Sequence, residues 1–425
     1  MVVKMKKKAF KRIFSAVLCC SVMIPVLCFQ AFAQKPSFTG DEEWEVLRLT
    51  NYERTANGLA PLSVFSELDA AAGLRAEEIT TLFSHTRPDG TPCSTALGDI
   101  PYYSVGENIA YGYPTPEAVV EGWMNSPGHR ANILTEHYRH LGVGYISGAW
   151  TQLFIGGCTT TDIAVSGASE ELQLSLGDDV GSMGLVLEIT CDMHGTSYLP
   201  LENAEYSCDT GSLGETVLSV SYGGKSVSIP AFVNFTDVKG GAWYYNEVRY
   251  AWEKNLFNGM TETTFEPDTA MSRAMLVTVI YRLEGEPQSD AEHSFADVPN
   301  GEWYSEAVKW AAEQGIVNGV SPTEFDPESE VTREQTATIL YRYSVYKESD
   351  DKESDDENLG DISVFTDNEK VSEYATDSVK WAVGLGLIKG TDDNKLDPQG
   401  NATRAQIATI LMRYIGEDEV ETDIE

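Results

Sequence analysis

Residues Phe295–Gln335 read FADVPNGEWYSEAVKWAAEQGIVNGVSPTEFDPESEVTREQ, and the plan of this stretch occurs three times in the chain. The other two copies begin at Phe235 and Phe365. Each copy opens with aromatic-Thr/Ala-Asp and closes with Ser/Thr-Arg, which leads into an apolar, helix-like run. The arginine follows the aspartate after 36 residues in the first two copies and after 37 in the third. Constant internal spacing indicates one supersecondary unit used three times.

Each copy is predicted to contain two helices. In the middle copy the first helix covers Ser305–Gln314, and Gly315 ends it. The second helix begins at Thr332, where the pattern Thr-Arg-x-Gln predicts a capping box. Capping explains the recurring Thr and Gln but not the arginine, because the helix dipole disfavours a cation in the first turn. We therefore expect the recurring arginine to contact a ligand.

The triplet resembles S-layer homology (SLH) modules, which occur at one end of exported bacterial proteins. The resemblance implies helix pairs with grooves between repeats that bind anionic, for example pyruvylated, secondary cell-wall polysaccharide. It implies that the arginines pair with the acidic group, that aromatic residues flank the sugar, and that the aspartates accept hydroxyl hydrogen bonds or fix the loop. For the last two positions a core or turn role is an equal alternative. The residues are Arg273, Arg333, Arg404, Trp243, Trp303, Tyr374, Asp237, Asp297 and Asp367. The copies differ, and the groove around Arg333 is the best preserved.

The N-terminus is predicted to be a secretory signal peptide. A basic region from Lys4 to Arg12 precedes an apolar stretch, and Ala31-Phe32-Ala33 fits a small-x-small cleavage site. The alternative is a membrane anchor, which Pro25 and the cleavage signal disfavour. No other stretch is apolar enough to span a membrane. With the SLH resemblance, this predicts a secreted protein at the bacterial cell surface, in the cell wall or S-layer.

Charge narrows the range of partners. The formal net charge is −36, and the signal carries six cations and no acid, so −42 remains after cleavage. Such acidity argues against nucleic acid as a binding partner, because binding to its phosphates needs a basic protein surface. It also argues against general adhesion to an anionic wall, so an anionic ligand must be held by a local cationic site.

Four cysteines remain after cleavage: Cys93, Cys158, Cys191 and Cys208. An even number in an exported chain predicts two disulfides with three alternative pairings. The domain assignment favours Cys93–Cys158 and Cys191–Cys208. Free buried thiols are the alternative.

Motifs around two histidines and one acid characterise the N-terminal third. They are Phe83-Ser84-His85-Thr86, Gly106-Glu107-Asn108 and the run from Trp123 to Arg130 that contains Ser126 and His129. In this order they resemble the CAP superfamily (cysteine-rich secretory proteins, antigen 5 and plant pathogenesis-related proteins), in its bacterial secreted branch. The resemblance implies an α-β-α sandwich with His85, Glu107 and His129 facing a central cleft.

Several functions of that cleft stay open. His85, Glu107 and His129 have the chemistry to bind a divalent metal such as Zn²⁺ and activate water as a hydrolase, or to exchange protons near neutral pH. Ser126 stands where many eukaryotic members carry a second Glu, and it is a candidate nucleophile or a cleft hydrogen-bonding group. The same residues could instead form a satisfied polar network in a cleft that binds an unknown ligand, such as a lipid, without turnover.

Between these units, short strand-like runs separated by Gly-rich turns predict a small all-β module, similar to immunoglobulin-like modules of bacterial surface proteins. The chain is thus predicted to be multidomain: CAP sandwich, β spacer, and α-helical SLH triplet. The predicted bounds are signal 1–33, CAP 34–160, spacer 161–230, SLH repeats 231–290, 291–346 and 363–418, and an acidic linker at 347–362.

Overall fold

The computed structural model describes residues 35–168, 170–289, 295–347, 359–391 and 393–422. The predicted signal peptide and most of the predicted acidic linker lie outside the described residues.

A three-stranded antiparallel sheet with helices on both faces forms the N-terminal unit. Its strand order is β1-β3-β2. Trp150 and Phe154 of β3 pack with α1 and α3 on one face, whereas Leu153 and Ile155 pack with α2 on the other. The elements are α1 Asp41–Ala56, α2 Ser66–Thr81, a 3-10 helix at Cys93–Leu97, β1 Ser104–Tyr111, α3 Pro116–Met124, α4 Pro127–Ile133, β2 Tyr138–Ile146 and β3 Ala149–Gly156.

Local sequence explains the start of α3. The Thr115 hydroxyl accepts a hydrogen bond from Ala118 N at 3.3 Å, and Pro116 occupies the first helical position, where its missing N–H costs nothing. The predicted helix start is therefore confirmed. This short helix leads directly into α4, which carries His129.

Two small sheets form the middle unit. One has the order β5-β10-β9-β8 and the other β4-β6-β7. Apolar residues from both sheets share one core, for example Leu187 of β6 and Leu218 of β9. The strands are β4 Thr160–Ser166, β5 Leu172–Ser175, β6 Val186–Cys191, β7 Gly195–Pro200, β8 Glu205–Ser207, β9 Gly214–Tyr222 and β10 Lys225–Asn234, with 3-10 helices at Val180–Met183 and Leu201–Asn203.

The described residues of the C-terminal unit form six α-helices, two from each copy of the repeat. The second helix of each copy packs on the first helix of another copy: α6 on α7, α8 on α9, and α10 back on α5. The helices are α5 Tyr245–Glu253, α6 Arg273–Leu283, α7 Ser305–Glu313, α8 Arg333–Lys347, α9 Thr376–Gly384 and α10 Arg404–Thr422, with 3-10 helices at Ile362–Val364, Asn368–Lys370 and Glu373–Ala375.

Three backbone hydrogen bonds close these copies into a ring. Met271 N donates to Ala402 O, Ala402 N to Val331 O, and Val331 N to Met271 O, each at 2.8–2.9 Å. All three residues are fully buried and stand shortly before the second helix of their copy. Each copy therefore needs both others to satisfy its backbone.

The middle unit contacts both neighbours. On one side Val64 N and O exchange hydrogen bonds with Tyr198 of β7 at 2.9 and 2.8 Å. On the other, the buried Tyr245 hydroxyl of α5 lies 2.6 Å from Phe232 O, to which it donates, and accepts from Leu174 N at 3.0 Å. These contacts fix the predicted spacer against the units that it joins.

Candidate functional sites

The recurring arginines lie between copies of the repeat. Arg273 Nε donates to Phe325 O and its Nη2 to Asn318 O, both at 3.0 Å and both in the second copy. Arg333 Nε donates to Leu396 O of the third copy at 2.7 Å. Arg404 of the third copy contacts the first copy.

Arg404 donates to two carbonyls of that copy, Phe265 O from Nε and Asn258 O from Nη2, each at 2.7 Å. Its guanidinium also lies 4.3 Å from the Phe265 ring centroid. The three arginines are buried, with 5–9% of their surface exposed. The sequence analysis found no structural reason for them, and the structure supplies one: each ties its helix to the next copy.

A second arginine in each copy was missed by the sequence analysis. Arg282, Arg342 and Arg413 each stand nine residues after the recurring arginine, a repeated offset that could have revealed them. Nine residues are two and a half helical turns, so the two arginines project from opposite sides of the helix. Helix α6 accordingly contributes Arg273 to one cavity and Arg282 to another.

Two grooves are visible as cavities. The larger, about 480 Å³, contains Arg273 of the first copy, Gly319 and Arg342 of the second, and Tyr374 of the third. The smaller, about 130 Å³, contains the equivalent set from the other copies: Arg404, Gly259, Arg282 and Trp303. The grooves are thus lined by all three copies and differ in size.

The glycine in these grooves keeps the turn close to the opening aromatic residue of its copy. A Cβ on Gly319 would lie 2.5 Å from Phe295 Cε1, and a Cβ on Gly390 would lie 2.5 Å from Phe365 Cε1. Both distances are too short for any larger residue. The opening aromatic residue and the glycine of each copy therefore recur together for packing reasons.

The aspartates hold the turn before the second helix. In the second copy Asp297 accepts from Phe325 N at 2.9 Å and from Asp326 N at 2.7 Å. Asp326 has a left-handed backbone (φ 61°), which these bonds hold in place. Burial raises the pKa of Asp297, but the backbone hydrogen bonds and the charge of Arg273 together lower it below its ordinary value. Asp237 and Asp367 make the same pair of bonds.

The aromatic residues lie on the surface beside the grooves. Trp243, Trp303 and Tyr374 are 57–61% exposed. The Tyr374 hydroxyl donates to Glu334 Oε1 at 3.0 Å, and burial with this bond raises the tyrosine pKa to about 12. An exposed ring at the groove margin is available to stack on a ligand.

The arginines of the grooves make no direct ion pair within the described residues. Among the described residues, no carboxylate lies within 4.0 Å of Arg273, Arg333, Arg404 or the second arginine of any copy. Burial lowers the pKa of Arg404, but only to about 10, and it also lowers the pKa of Arg273 and Arg333. All three guanidinium groups nevertheless stay charged at neutral pH. Neutral carbonyls are the direct hydrogen-bond partners of these charges, and carboxylates farther away, such as Asp297 and Asp326 near Arg273, offset them in part.

In the N-terminal unit, the candidate site residues from the sequence analysis are centred on Glu107 of β1. It is buried, and its Oε1 accepts from Arg75 Nε at 2.7 Å while its Oε2 faces His85 Nδ1 at 2.7 Å. Arg75 projects from α2 and is itself buried. His85 lies in the loop after α2, and its side chain is 59% exposed. Arg75 was missed by the sequence analysis, in which nothing connected it with Glu107.

His129 approaches from α4. Burial and the nearby His85 lower its pKa, so its imidazole is neutral at neutral pH. Its carbonyl accepts from Asn108 Nδ2, which also donates to Gln152 Oε1 at 3.0 Å. No hydrogen bond of the described residues joins Ser126 Oγ to a histidine. The structure thus pairs the exposed His85 with the buried Glu107, and the half-buried His129 lies near them, with its carbonyl bonded to the buried Asn108.

The cysteines require a correction. All four described cysteines are free thiols, so neither predicted disulfide is formed. Cys93 lies beside Glu107, where burial and that carboxylate raise the pKa of the thiol. Cys158 lies beside Cys191 instead. The prediction failed because it assumed pairing within domains, whereas Cys158 and Cys191 meet across a domain boundary.

Cys158 and Cys191 belong to the one group of metal-ligating side chains found within the described residues. Its other members are His140 of β2 and His194 of the β6–β7 turn. The four donor atoms lie within 4.8 Å of one another. The cleft residues His85, Glu107 and His129 form no such group.

Family models match the units just described. The cysteine-rich secretory protein family, CAP, matches residues 47–157, and the S-layer homology domain matches 234–274, 294–337 and 364–408. The chain carries a CAP domain and three SLH repeats. Both sequence-based assignments are confirmed, and the three matches coincide with the three copies that form the ring.

Curated relatives match the two regions separately. YkwD of Bacillus subtilis is 44% identical over 127 residues, 28% of this chain and 49% of that protein. The surface-layer 125 kDa protein of Lysinibacillus sphaericus is 34% identical over 167 residues, 38% of this chain and 13% of that protein. Exoglucanase XynX of Acetivibrio thermocellus is 30% identical over 57% of this chain and 20% of its own length. The chain spans less than half the length of each.

Solved structures also match the CAP region. An extracellular protein containing an SCP domain from Bacillus anthracis is 31% identical, with a TM-score of 0.27 over 27% of this chain and 40% of that one. Within the described residues, no helix has both the length and the apolar character needed to cross a bilayer.

Proposed function

We propose that the SLH repeats hold this protein on the bacterial cell surface by binding an anionic, pyruvylated secondary cell-wall polysaccharide. The similarity to surface-layer and cell-surface proteins supports this location. In this proposal the CAP domain, with its α-β-α sandwich, is displayed outward on the immunoglobulin-like spacer. The domain bounds are those predicted from the sequence.

The observation that carries the proposal is the pair of arginines in each of the two cavities, none of which has a carboxylate of the described residues within 4.0 Å. Arg273 and Arg342 converge from different repeats on one cavity beside the exposed Tyr374. A carboxylate entering there would gain charge-assisted hydrogen bonds without displacing a protein acid. A sugar ring attached to that carboxylate would lie against the aromatic side chain.

The second arginines give the cleaner test, because the recurring arginines also hold the ring of repeats together. In the variant Arg282→Gln/Arg342→Gln, each cavity loses one cation. We expect retention on purified cell-wall sacculi to fall about tenfold or more, since hydrogen bonds to charged groups contribute about 1.5–3 kcal/mol each. Sedimentation with sacculi measures this retention.

Lys309→Gln is the matched control, because it removes a cation from the same region outside both cavities. It should bind as the parent chain does. Sacculi stripped of their secondary polysaccharide should bind neither protein. Unchanged retention of the double variant, with its fold intact by circular dichroism, would refute the role of these arginines.

For the CAP domain, we infer a cleft that binds an extracellular ligand. Both oxygens of Glu107 are engaged, one by Arg75 and one by His85, which fits a satisfied polar network better than an open metal site. A metal-assisted hydrolase at His85, Glu107 and His129, with Ser126 as a further group, has less support in this geometry. Zinc titration of His129→Ala against the parent chain distinguishes the two.

A further inference from the structure

We propose that His140, Cys158, Cys191 and His194 form a structural zinc site that locks the CAP domain to the β module. Two thiols and two imidazoles are the donor set of a closed, tetrahedral zinc site. The four residues come from three separate segments of the chain. His140 belongs to the CAP sheet, Cys158 to the connection that leaves it, and Cys191 with His194 to the β6–β7 turn.

The distances between donor atoms match the edges of such a tetrahedron. Zinc–sulfur bonds of about 2.3 Å and zinc–nitrogen bonds of about 2.0 Å place tetrahedral ligands about 3.3–3.8 Å apart. Cys191 Sγ lies 3.7 Å from His194 Nδ1 and 3.9 Å from His140 Nε2, and Cys158 Sγ lies 3.0 Å from His140 Nε2. Since all four donor atoms lie within 4.8 Å of one another, side-chain adjustments of up to about one ångström would admit the ion.

A directed chain of hydrogen bonds leaves the lone pair of His140 Nε2 facing the thiols. Ser197 Oγ donates to Ile189 O, a carbonyl that can only accept. Ser63 Oγ donates to Ser197 Oγ, so the Ser63 oxygen must accept from His140 Nδ1–H, at 2.8 Å. Histidine ligands of metals are typically oriented by this kind of bond from their other nitrogen.

His194 is oriented in the same way. Its Nε2 lies 2.7 Å from Pro101 O, which can only accept, so Nε2 carries the proton and Nδ1 presents its lone pair to Cys191. The backbone N–H of His194 donates to Cys191 Sγ at 3.3 Å, a contact that favours thiolate. Both imidazoles are therefore held in the tautomer that a metal requires.

Burial and charge also suit a structural ion. His140 and Cys191 are 1% and 5% exposed, and four protein ligands leave no open position for substrate. Zinc binding would release one proton from each thiol to solvent. Two thiolates and Zn²⁺ together are neutral, which avoids a buried net charge.

The signal in the sequence is the pair Cys191-x-x-His194 at a strand turn. Its remaining ligands are too distant in the chain to be recognised without the fold. The main competitor is a Cys158–Cys191 disulfide, which exported proteins readily form. The two outcomes differ in thiol count and in metal content.

The test is metal analysis and cobalt titration of the full chain, purified without chelator from a secreting host. We expect one zinc per chain, and a thiolate-to-cobalt charge-transfer band with the intense visible absorption of tetrahedral Co²⁺. Cys191→Ser and His194→Ala should abolish both signals. Ser197→Ala should weaken metal affinity about 10- to 100-fold, because it breaks the chain that orients His140.

Two substitutions serve as controls. Cys208→Ser removes a thiol outside the group, and His129→Ala removes a CAP-cleft imidazole, so both should keep the metal and the cobalt spectrum. A metal-free chain with a Cys158–Cys191 disulfide would overturn the proposal. So would zinc that survives Cys191→Ser but is lost in His129→Ala. If Cys191→Ser does not fold, the cobalt spectrum of the parent chain and the metal affinity of Ser197→Ala still test the proposal.

Discussion

At the scale of single residues, the burial of Asp69 makes the stability of the CAP domain depend on pH. This α2 aspartate is 7% exposed and accepts from Val143 N at 3.2 Å. Burial raises its pKa from 3.8 to about 6. The folded CAP domain therefore holds this proton at pH values where the unfolded chain has lost it. The resulting stability is full below pH 3.8 and is lost as the pH rises through about 6.

Asp69→Asn should remove this dependence, because the amide cannot ionise and still offers an oxygen to Val143 N. Relative to the parent chain, its free energy of unfolding should rise between pH 4 and pH 7 by up to about 3 kcal/mol, the equivalent of two pKa units. This difference in the free energy of unfolding is measured by urea unfolding, in which proteolysis of peptides from the CAP domain reports the unfolded fraction. Asp89→Asn should leave the profile between pH 4 and pH 7 nearly unchanged, because the pKa of this exposed aspartate is lowered and its titration lies below that range. Parallel profiles would contradict the prediction.

At the scale of elements, the ring of repeats depends on contacts that cross between copies. Helix α10 packs on α5, and Arg404 at the start of α10 binds carbonyls on either side of the first-copy turn. The closing contact therefore joins the last helix of the chain to the first helix of the triplet. Loss of any one copy would leave buried backbone groups of the others without partners.

Arg404→Ala should destabilise the SLH region by about 3 kcal/mol, since two carbonyls lose a charged donor. Arg404→Lys should recover little, because an ammonium cannot reproduce the planar fork that reaches both carbonyls. Urea unfolding monitored by far-UV circular dichroism measures the loss in the free energy of unfolding.

Lys395→Ala, at an exposed lysine of the same repeat, is the control and should change little. Equal effects of Arg404→Ala and Lys395→Ala would show that the guanidinium does not hold the ring closed.

At the scale of the whole molecule, local cations act against an acidic background. The chain carries a formal net charge of −36, whereas each groove presents two arginines. A polyanion therefore meets long-range repulsion before it meets short-range attraction. The repulsion acts over a longer range than the attraction, so added salt should screen the repulsion first.

If the proposed anionic wall polymer is the ligand, its association rate with this protein should rise with salt at low ionic strength. Repulsion reaches about 30 Å at about 0.01 M salt but only about 8 Å at about 0.15 M. Surface plasmon resonance with immobilised polymer measures the rate. A polymer whose acidic groups have been neutralised should show no such increase. A rate that falls steadily with salt would indicate that a basic surface steers the encounter.

Part of the fold follows from local sequence. The capping boxes at Thr332 and Thr403 form as predicted, with Gln side chains bonding back at 3.1 Å, and Ser272 caps α6 without that return bond. Caps, turns and apolar periodicity act within a few residues, so they can be read without the fold. The CAP and SLH motifs are likewise contiguous, and their recognition needed no tertiary information.

The rest was decided by contacts between distant segments. Sequence identified Arg273 as recurring, but only the fold shows that its partners are carbonyls of another repeat. Sequence paired the cysteines by domain, but only the fold brings Cys158 to Cys191 and both to His140. Sequence determines which residues are available and how each segment caps and turns. Tertiary structure determines which of them meet, because hydrogen bonds and ligand sets depend on distances that chain order does not encode.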